Sequence, residues 1–150
     1  MKSVLIIGLG RFGMYMAKKF TELGNHVMAL DTDEEKINEI LPFVTSAQIG
    51  DGTKAAVLES IGIDNFDICV VCVGLNFQSS LESTSLLKEA GAKFVLSRAS
   101  TEIQAKFLLR NGADEVVFAE KEMAERLAVK YSANNIFDYI QLTNEYAIYE

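Results

Sequence analysis

The stretch Ser3-Val-Leu-Ile-Ile-Gly-Leu-Gly-Arg-Phe-Gly13 joins an apolar run to a glycine-rich turn. Gly8, Gly10 and Gly13 fit the pattern G-x-G-x-x-G, in which the glycines permit a tight turn, close approach of phosphate oxygens, and packing of a helix on a sheet. The run before Gly8 is continuously apolar, which is typical of a parallel strand covered on both faces. From Arg11 onward the apolar residues recur with helical spacing. The pattern predicts a strand, a phosphate-binding turn and a helix in direct succession.

The same alternation of apolar runs and helical segments continues along the chain. We expect further strands at 26–31, 44–50, 66–74, 94–97 and 115–118. We expect helices at about 11–23, 33–41, 53–61, 78–90 and 101–110. Connections of this length force parallel pairing, and right-handed crossovers then give the strand order 3-2-1-4-5-6. The predicted fold class is therefore α/β, a doubly wound parallel sheet of the Rossmann type.

The end of the chain departs from this alternation. The pattern of residues 121–135 predicts one more helix, a C-terminal crossover helix. The pattern of residues 136–150 is typical of an extended tail. We therefore expect one nucleotide-binding domain over 1–135, followed by a tail or linker over 136–150.

Composition excludes several classes of function. The chain has a formal net charge of -7 and no basic stripe, which argues against nucleic-acid binding because phosphate affinity rests on clustered Lys and Arg. Its apolar runs are too short to cross a bilayer, so we expect a cytoplasmic protein without direct membrane insertion. Cys69 and Cys72 are three residues apart in a strand, which places them on opposite faces as a buried, reduced pair.

Two acidic residues follow strands at the edge where a nucleotide would lie. Asp31 ends the second strand at the spacing of the acid that accepts the hydroxyls of an adenosine ribose and repels a 2′-phosphate. That residue favours adenosine nucleotides and NAD(H) over NADP(H). Asp51 follows the third strand, and two interpretations stay open: it accepts the exocyclic amine of adenine, or Asp51 or Thr53 caps the next helix.

Two arginines are candidates for phosphate contacts. Arg11 lies inside the glycine-rich turn, so it is either the partner of a terminal phosphate, which would distinguish ATP from ADP, or a surface residue. Arg98 ends the fifth strand and would act from the opposite side.

The chain lacks the parts of a complete dehydrogenase. Such an enzyme needs a second region that holds substrate against the nicotinamide, yet the cofactor fold uses most of this chain. His26 opens the second strand, at the edge opposite the nucleotide crevice, so it is unsuited to acid–base work. We predict that the protein is not an enzyme; the alternative is the cofactor-binding fragment of an NAD-dependent oxidoreductase.

With GLGRFG at 8–13, Asp31, GDGT at 50–53, and CVVCVG at 69–74 followed by Asn76, the sequence resembles the KTN or RCK (TrkA-N) regulatory domain of bacterial potassium transport. Within that family it is most similar to the cytosolic Ktr subunit. The resemblance runs the whole length, including NGADEVVFAEKEMAERLA at 111–128 and the tail from residue 135.

The resemblance implies a function and its partners. Family members bind ATP, ADP or NAD(H) and form dimers and octameric rings beneath a membrane potassium transporter. It therefore implies a cytosolic, nucleotide-sensing regulatory subunit of a potassium uptake system, peripheral at the inner face of the plasma membrane through its partner. The family's C-terminal lobe is absent from this sequence, so residues 136–150 would lead toward it.

The resemblance and the motifs together define the expected ligand residues. The cofactor site comprises Gly8, Gly10, Arg11, Phe12, Gly13, Asp31, Thr32, Asp51, Gly52, Gly74, Asn76 and Arg98. Glu120 matches an acidic position that binds a divalent or monovalent cation at the dimer contact. Ala119 departs from the family, which often has proline before that glutamate.

Overall fold

The computed structural model describes residues 1–73 and 76–133. The strands within those ranges are β1 (Ser3–Ile7), β2 (His26–Asp31), β3 (Ser46–Ile49), β4 (Ile68–Val71), β5 (Val95–Arg98) and β6 (Glu115–Val117). They form one parallel sheet in the order β3-β2-β1-β4-β5-β6. The predicted doubly wound Rossmann sheet is confirmed.

The helices of the same ranges follow the strands in turn. They are α1 (Arg11–Glu22), α2 (Glu34–Ile40), α3 (Ala55–Ile61), α4 (Phe77–Glu89), α5 (Glu102–Arg110) and α6 (Ala119–Ser132). Side-chain oxygens cap three of them: Asp33 accepts from the Glu35 amide, Asn76 from the Ser79 amide, and Thr101 from the Gln104 amide. These caps fix where α2, α4 and α5 begin, because each satisfies an amide that has no partner within its helix.

The chain divides into two compact units, Met1–Val117 and Phe118–Glu150. In the first unit, alternate residues of β1 enter two different cores. Val4 and Ile6 pack in one cluster with Ala17 of α1 and Ile37 of α2. Their neighbours Leu5 and Ile7 pack in the other cluster, with Leu58 of α3 and Leu87 of α4. Both faces of the central strand are therefore covered, which explains its unbroken apolar sequence.

The two cysteines lie as the sequence predicts. Cys72 belongs to the first cluster and Cys69 to the second, so they lie on opposite faces of the sheet. Both are free and buried, and burial raises the pKa of each thiol to about 12. They are structural, reduced cysteines.

Several boundaries differ from those predicted. β4 covers Ile68–Val71, a shorter stretch than the predicted 66–74, and Gly74 lies outside the described residues. α3 begins at Ala55 instead of residue 53, because the carboxylate of Asp51 binds the Thr53 amide and hydroxyl and forms a separate turn. β3 covers Ser46–Ile49, a shorter stretch than the predicted 44–50, and a 3-10 turn that contains Pro42 lies before it.

The second unit contains α6, which begins at Ala119, two residues earlier than predicted, with the Glu122 amide donating to the Phe118 carbonyl. The predicted end of this helix at residue 135, the domain boundary after it and the tail over 136–150 lie outside the described residues. None of the helices in the described part of the chain has both the length and the apolar character needed to cross a membrane.

Candidate functional site

A cavity of about 380 Å³ opens at the carboxyl ends of four neighbouring strands, β3, β2, β1 and β4. β1 and β4 are adjacent, but α1 and α4 pack on opposite faces of the sheet, so the chain leaves a crevice between them. The lining residues are Ile7, Gly8, Leu9, Gly10, Leu30, Asp31, Thr32, Lys36, Gly50, Asp51, Gly52, Thr53, Cys72, Val73, Asn76 and Ser79. The cavity is thus where parallel α/β sheets bind ligands.

The glycines at the mouth of β1 meet three different constraints. Gly8 has a φ of 97°, and a Cβ there would lie 2.6 Å from the Cys72 carbonyl oxygen. A Cβ on Gly13 would collide with the carbonyl oxygen of Gly8, so only glycine lets α1 approach the loop this closely. A Cβ on Gly10 would meet nothing within 4 Å, because this residue faces the open cavity. These are the roles predicted from G-x-G-x-x-G.

The amino terminus of α1 is available to an anion. Gly10 is its N-cap and offers no side-chain acceptor, and the first turn carries no acidic residue. The first amides of a helix have no partner within the helix and lie at the positive end of its dipole. Since Gly10 lines the cavity, a phosphate there would find donors of the right polarity.

Asp31 connects the glycine loop to β2. Its Oδ2 accepts a hydrogen bond of 2.7 Å from the Leu9 amide, and its Oδ1 accepts one of 2.8 Å from the Asp33 amide. Both oxygens are therefore fixed in position, while each keeps further acceptor capacity. The carboxylate is therefore held at the cavity wall with acceptor capacity left on both oxygens.

Asp51 is held by its neighbour two residues on. The Thr53 hydroxyl donates to Oδ1 at 2.6 Å and the Thr53 amide donates to the same atom at 2.9 Å. These two bonds, the hydroxyl first, hold the pKa of Asp51 below its ordinary value, against the opposing effect of burial. Lys54 is the N-cap of α3 and makes no side-chain cap, so neither Asp51 nor Thr53 caps that helix. Asp51 instead lines the cavity as an ionised acceptor.

Other predicted residues lie elsewhere. Arg11 is exposed, and Arg11, Phe12 and Gly13 are outside the cavity lining. Arg98 lines a separate, smaller cavity with Phe77, Ser80 and Gln104, and its guanidinium carbon lies 5.7 Å from the centre of the Phe12 ring. The structure brings together Gly8, Gly10, Asp31, Thr32, Asp51, Gly52 and Asn76. The remaining residue, Gly74, is outside the described ranges.

Sequence reasoning missed three polar lining residues as ligand candidates, Lys36, Thr53 and Ser79. Lys36 and Ser79 each lie at the third position of a helix, α2 with Asp33 as its N-cap and α4 with Asn76 as its N-cap. The signal was present, because a residue three positions after an N-cap lies in the first helical turn, beside the strand end that precedes it.

Glu120 lies exposed in the first turn of α6, in the second unit. Within 1–73 and 76–133 no three His, Cys, Asp or Glu side chains come together as a metal site. A cation at Glu120 therefore stays a prediction that involves a second chain.

The strand order, the glycine loop and the crevice at the switch point define a doubly wound Rossmann domain. Residues 4–119 match the TrkA-N domain, and the chain belongs to that family. The family predicted from the sequence is confirmed.

Two relatives come from Bacillus subtilis (strain 168). Ktr system potassium uptake protein C is 40% identical over 99% of this chain and 67% of its own length. Ktr system potassium uptake protein A is 38% identical over the same shares. This chain therefore spans about two thirds of the length of both relatives.

Solved structures share the fold. The NAD(P)-binding domain of an exopolyphosphatase-related protein from Archaeoglobus fulgidus superposes with a TM-score of 0.78 at 20% identity, covering 88% of this chain and 98% of that one. The AMP-bound Kef C-terminal domain of Shewanella denitrificans gives 0.73 at 21% identity and covers 97% and 99%.

Proposed function

We propose that this chain is the nucleotide-sensing part of a cytosolic regulatory subunit of a potassium uptake system. It binds ATP or ADP, with NAD(H) as a further ligand, and gates a membrane potassium transporter through conformational change of an oligomeric ring. The observation that carries the proposal is the cavity in which an open glycine loop and the fixed carboxylate of Asp31 lie side by side. The names of the two Ktr relatives support the connection to potassium uptake.

Each part of an adenosine nucleotide has a matching wall of the cavity. The diphosphate lies against Gly8 and Gly10, where the amides of α1 begin. The ribose hydroxyls donate to Asp31, and the adenine lies toward Asp51 and Gly52 at the end of β3. A 2′-phosphate would meet the charge of Asp31, so NAD(H) is preferred over NADP(H). The AMP-bound Kef domain supports an adenine nucleotide as the ligand class.

The switch is a difference in affinity between two ligands of one cavity. ATP and ADP share every contact except those of the terminal phosphate, so only a group near that phosphate can shift the ring between conformations. Arg11 is exposed at the first position of α1, next to the loop that holds the diphosphate. Its guanidinium would bind the additional phosphate and favour one ring geometry.

Calorimetry with ATP, ADP, AMP, NADH and NADPH tests the proposal on the wild-type chain. We expect binding of the first four and weak or no binding of NADPH. Arg11→Ala should lower the ATP to ADP affinity ratio by about tenfold, which is 1.4 kcal/mol, while ADP binding is retained. Failure of every adenine nucleotide to bind would reject the function, and an unchanged ratio would reject the role of Arg11.

The proposal excludes turnover. If the chain were a fragment of an oxidoreductase, the full-length gene product would oxidise NADH in the presence of a substrate. A regulator would instead change its oligomer size when it binds nucleotide, without turnover. Following NADH absorbance and light scattering in parallel separates the two functions.

We also propose that Glu120 shares a cation with its counterpart in a dimer. Sedimentation with and without Ca²⁺ or K⁺ tests this, with Glu120→Gln as the variant. We expect the cation to strengthen the wild-type dimer and to leave the variant unchanged.

A further inference from the structure

Lys36 is the one cationic side chain among the described residues that line the cavity. It is half-buried and lies on α2, directly before the core residue Ile37. The other charged groups of the lining are the carboxylates of Asp31 and Asp51. A lysine in this place changes the kind of ligand that the cavity accepts.

The fold itself gains little from this positive charge. Lys36 is the third residue of α2, after Glu34 and Glu35, and the first turn of a helix favours acids and disfavours bases. Within residues 1–73 and 76–133 its ammonium forms no hydrogen bond and no ion pair. A cation that opposes the helix dipole and has no protein partner in this range is available for a ligand.

The position of α2 in the fold decides which part of a nucleotide Lys36 meets. α2 follows β2, whose last residue is Asp31, and β2 lies between β3 and β1 in the sheet. The glycine loop and the amides of α1 lie on the β1 side of Asp31, and Asp51 lies on the β3 side. Because α2 follows β2 directly, Lys36 enters the cavity lining from the same segment of chain as Asp31, the residue assigned to the ribose.

We propose that Lys36 is a ligand-binding residue that contacts the adenosine part of the nucleotide, with its ammonium against the face of the purine ring. An aromatic face attracts a cation through its quadrupole, and this attraction does not depend on the number of phosphates. Lys36 therefore strengthens the binding of AMP, ADP and ATP by the same factor. This inference rests on the proposed function, because it assumes an adenine nucleotide in the cavity.

The test compares Lys36→Met, which keeps much of the apolar stem, and Lys36→Arg, which keeps the charge. Calorimetry with AMP, ADP and ATP should show a loss of affinity of about two- to fivefold in Lys36→Met, equal for the three ligands, as expected for a half-buried cation over an aromatic ring. Lys36→Arg should bind each nucleotide within about twofold of wild type. The control Lys93→Met should do the same, because Lys93 precedes β5, at the amino ends of the strands and away from the cavity. The melting temperature of unliganded Lys36→Met should equal or exceed that of wild type.

The outcomes distinguish failure of the role of Lys36 from failure of the proposed function. Unchanged affinity in Lys36→Met would overturn the inference, and so would a loss that grows from AMP to ATP, because that places the ammonium at the phosphates. Failure of the wild-type chain to bind any of the three nucleotides would overturn the proposed function itself, before the variants are considered.

Discussion

Gly10 and Gly13 belong to one motif but are required for different reasons. A Cβ on Gly10 would meet open space and one on Gly13 would meet backbone. We therefore expect Gly10→Ala to fold with unchanged stability, because its φ of -69° suits any residue, and to lose nucleotide affinity by at least about tenfold. The added methyl group would occupy the place of the phosphate oxygens. Calorimetry and thermal melting on the same sample measure both effects.

Gly13→Ala is the matched counterpart. Its Cβ collides with the Gly8 carbonyl oxygen, so α1 must move away from β1 and the first core cluster must open. We expect a loss of stability above about 2 kcal/mol in urea unfolding. If Gly10→Ala were the less stable of the two, the division of roles within the motif would be wrong.

The pKa of Asp51 is also determined at the scale of single residues, by the hydrogen bonds from Thr53. Its folded-state pKa is depressed, so it adds stability above the pKa of the unfolded chain, and that stability is lost as the pH falls through the folded pKa. Thr53→Val removes the principal hydrogen bond, which should raise the pKa of Asp51 and reduce the loss of stability below pH of about 4. NMR titration of the Asp51 carboxyl carbon measures its pKa in wild type and variant. Thr53→Ser keeps a hydroxyl and should titrate like wild type.

The sequence alone identified the residues whose role is fixed by the backbone. The glycines and Asp31 were predicted because strand ends, turns and helix starts determine where they lie. Lys36 was missed as a lining residue, since its place at the cavity depends on how α2 lies relative to the end of β2. Arg11 was proposed for its charge, and its exposed position outside the cavity lining could not be read from the motif.

At the scale of elements, α4 faces the sheet with hydroxyl groups. Ser83 donates to the Gly52 carbonyl at 2.8 Å and Thr84 shares a hydrogen bond of 2.8 Å with Ser97, and all three side chains are buried. The Ser80 hydroxyl donates to the Val73 carbonyl. Buried polar groups are costly unless they are paired, so these bonds hold α4 in one register over the loops that border the cavity.

This arrangement predicts that Ser83 supports the ligand site from behind. Ser83→Ala leaves the buried Gly52 carbonyl without its donor, which should lower the free energy of unfolding by about 1–3 kcal/mol. The loop that carries Asp51 should exchange its amide hydrogens faster. Ser60→Ala is the control, because the Ser60 hydroxyl donates to the Val57 carbonyl at an exposed site. Equal losses in the two variants would contradict a special role for α4.

The order of the elements was predictable, but their ends were less so. Continuous apolar runs and short connections determine a parallel sheet, and its observed strand order agrees with the prediction. α3 begins late because Asp51 binds Thr53, a local competition that helix periodicity does not report. α6 begins at Ala119, where no side chain caps the helix, so its start also had no signal of a capping residue in the sequence.

At the scale of the whole molecule, the cavity follows from topology. It needs β1 and β4 to be neighbours and their helices to diverge, and no single motif specifies that. Because the lining comes from segments that follow four strands, a bound nucleotide would connect parts of the chain that are far apart in sequence. Binding should therefore stabilise the unit Met1–Val117 as one body.

Ligand-linked unfolding tests that expectation. A ligand at one hundred times its dissociation constant that binds only the folded state adds about 2.7 kcal/mol. We expect ADP at that level to raise the free energy of unfolding by this amount, with unfolding followed by far-ultraviolet circular dichroism, since Tyr15 is the one tyrosine of the unit and the chain has no tryptophan. Amide exchange should slow together at the ends of β1, β2, β3 and β4. In Gly10→Ala the same ADP concentration should add almost nothing, and an equal rise in that variant would show that ADP acts outside the cavity.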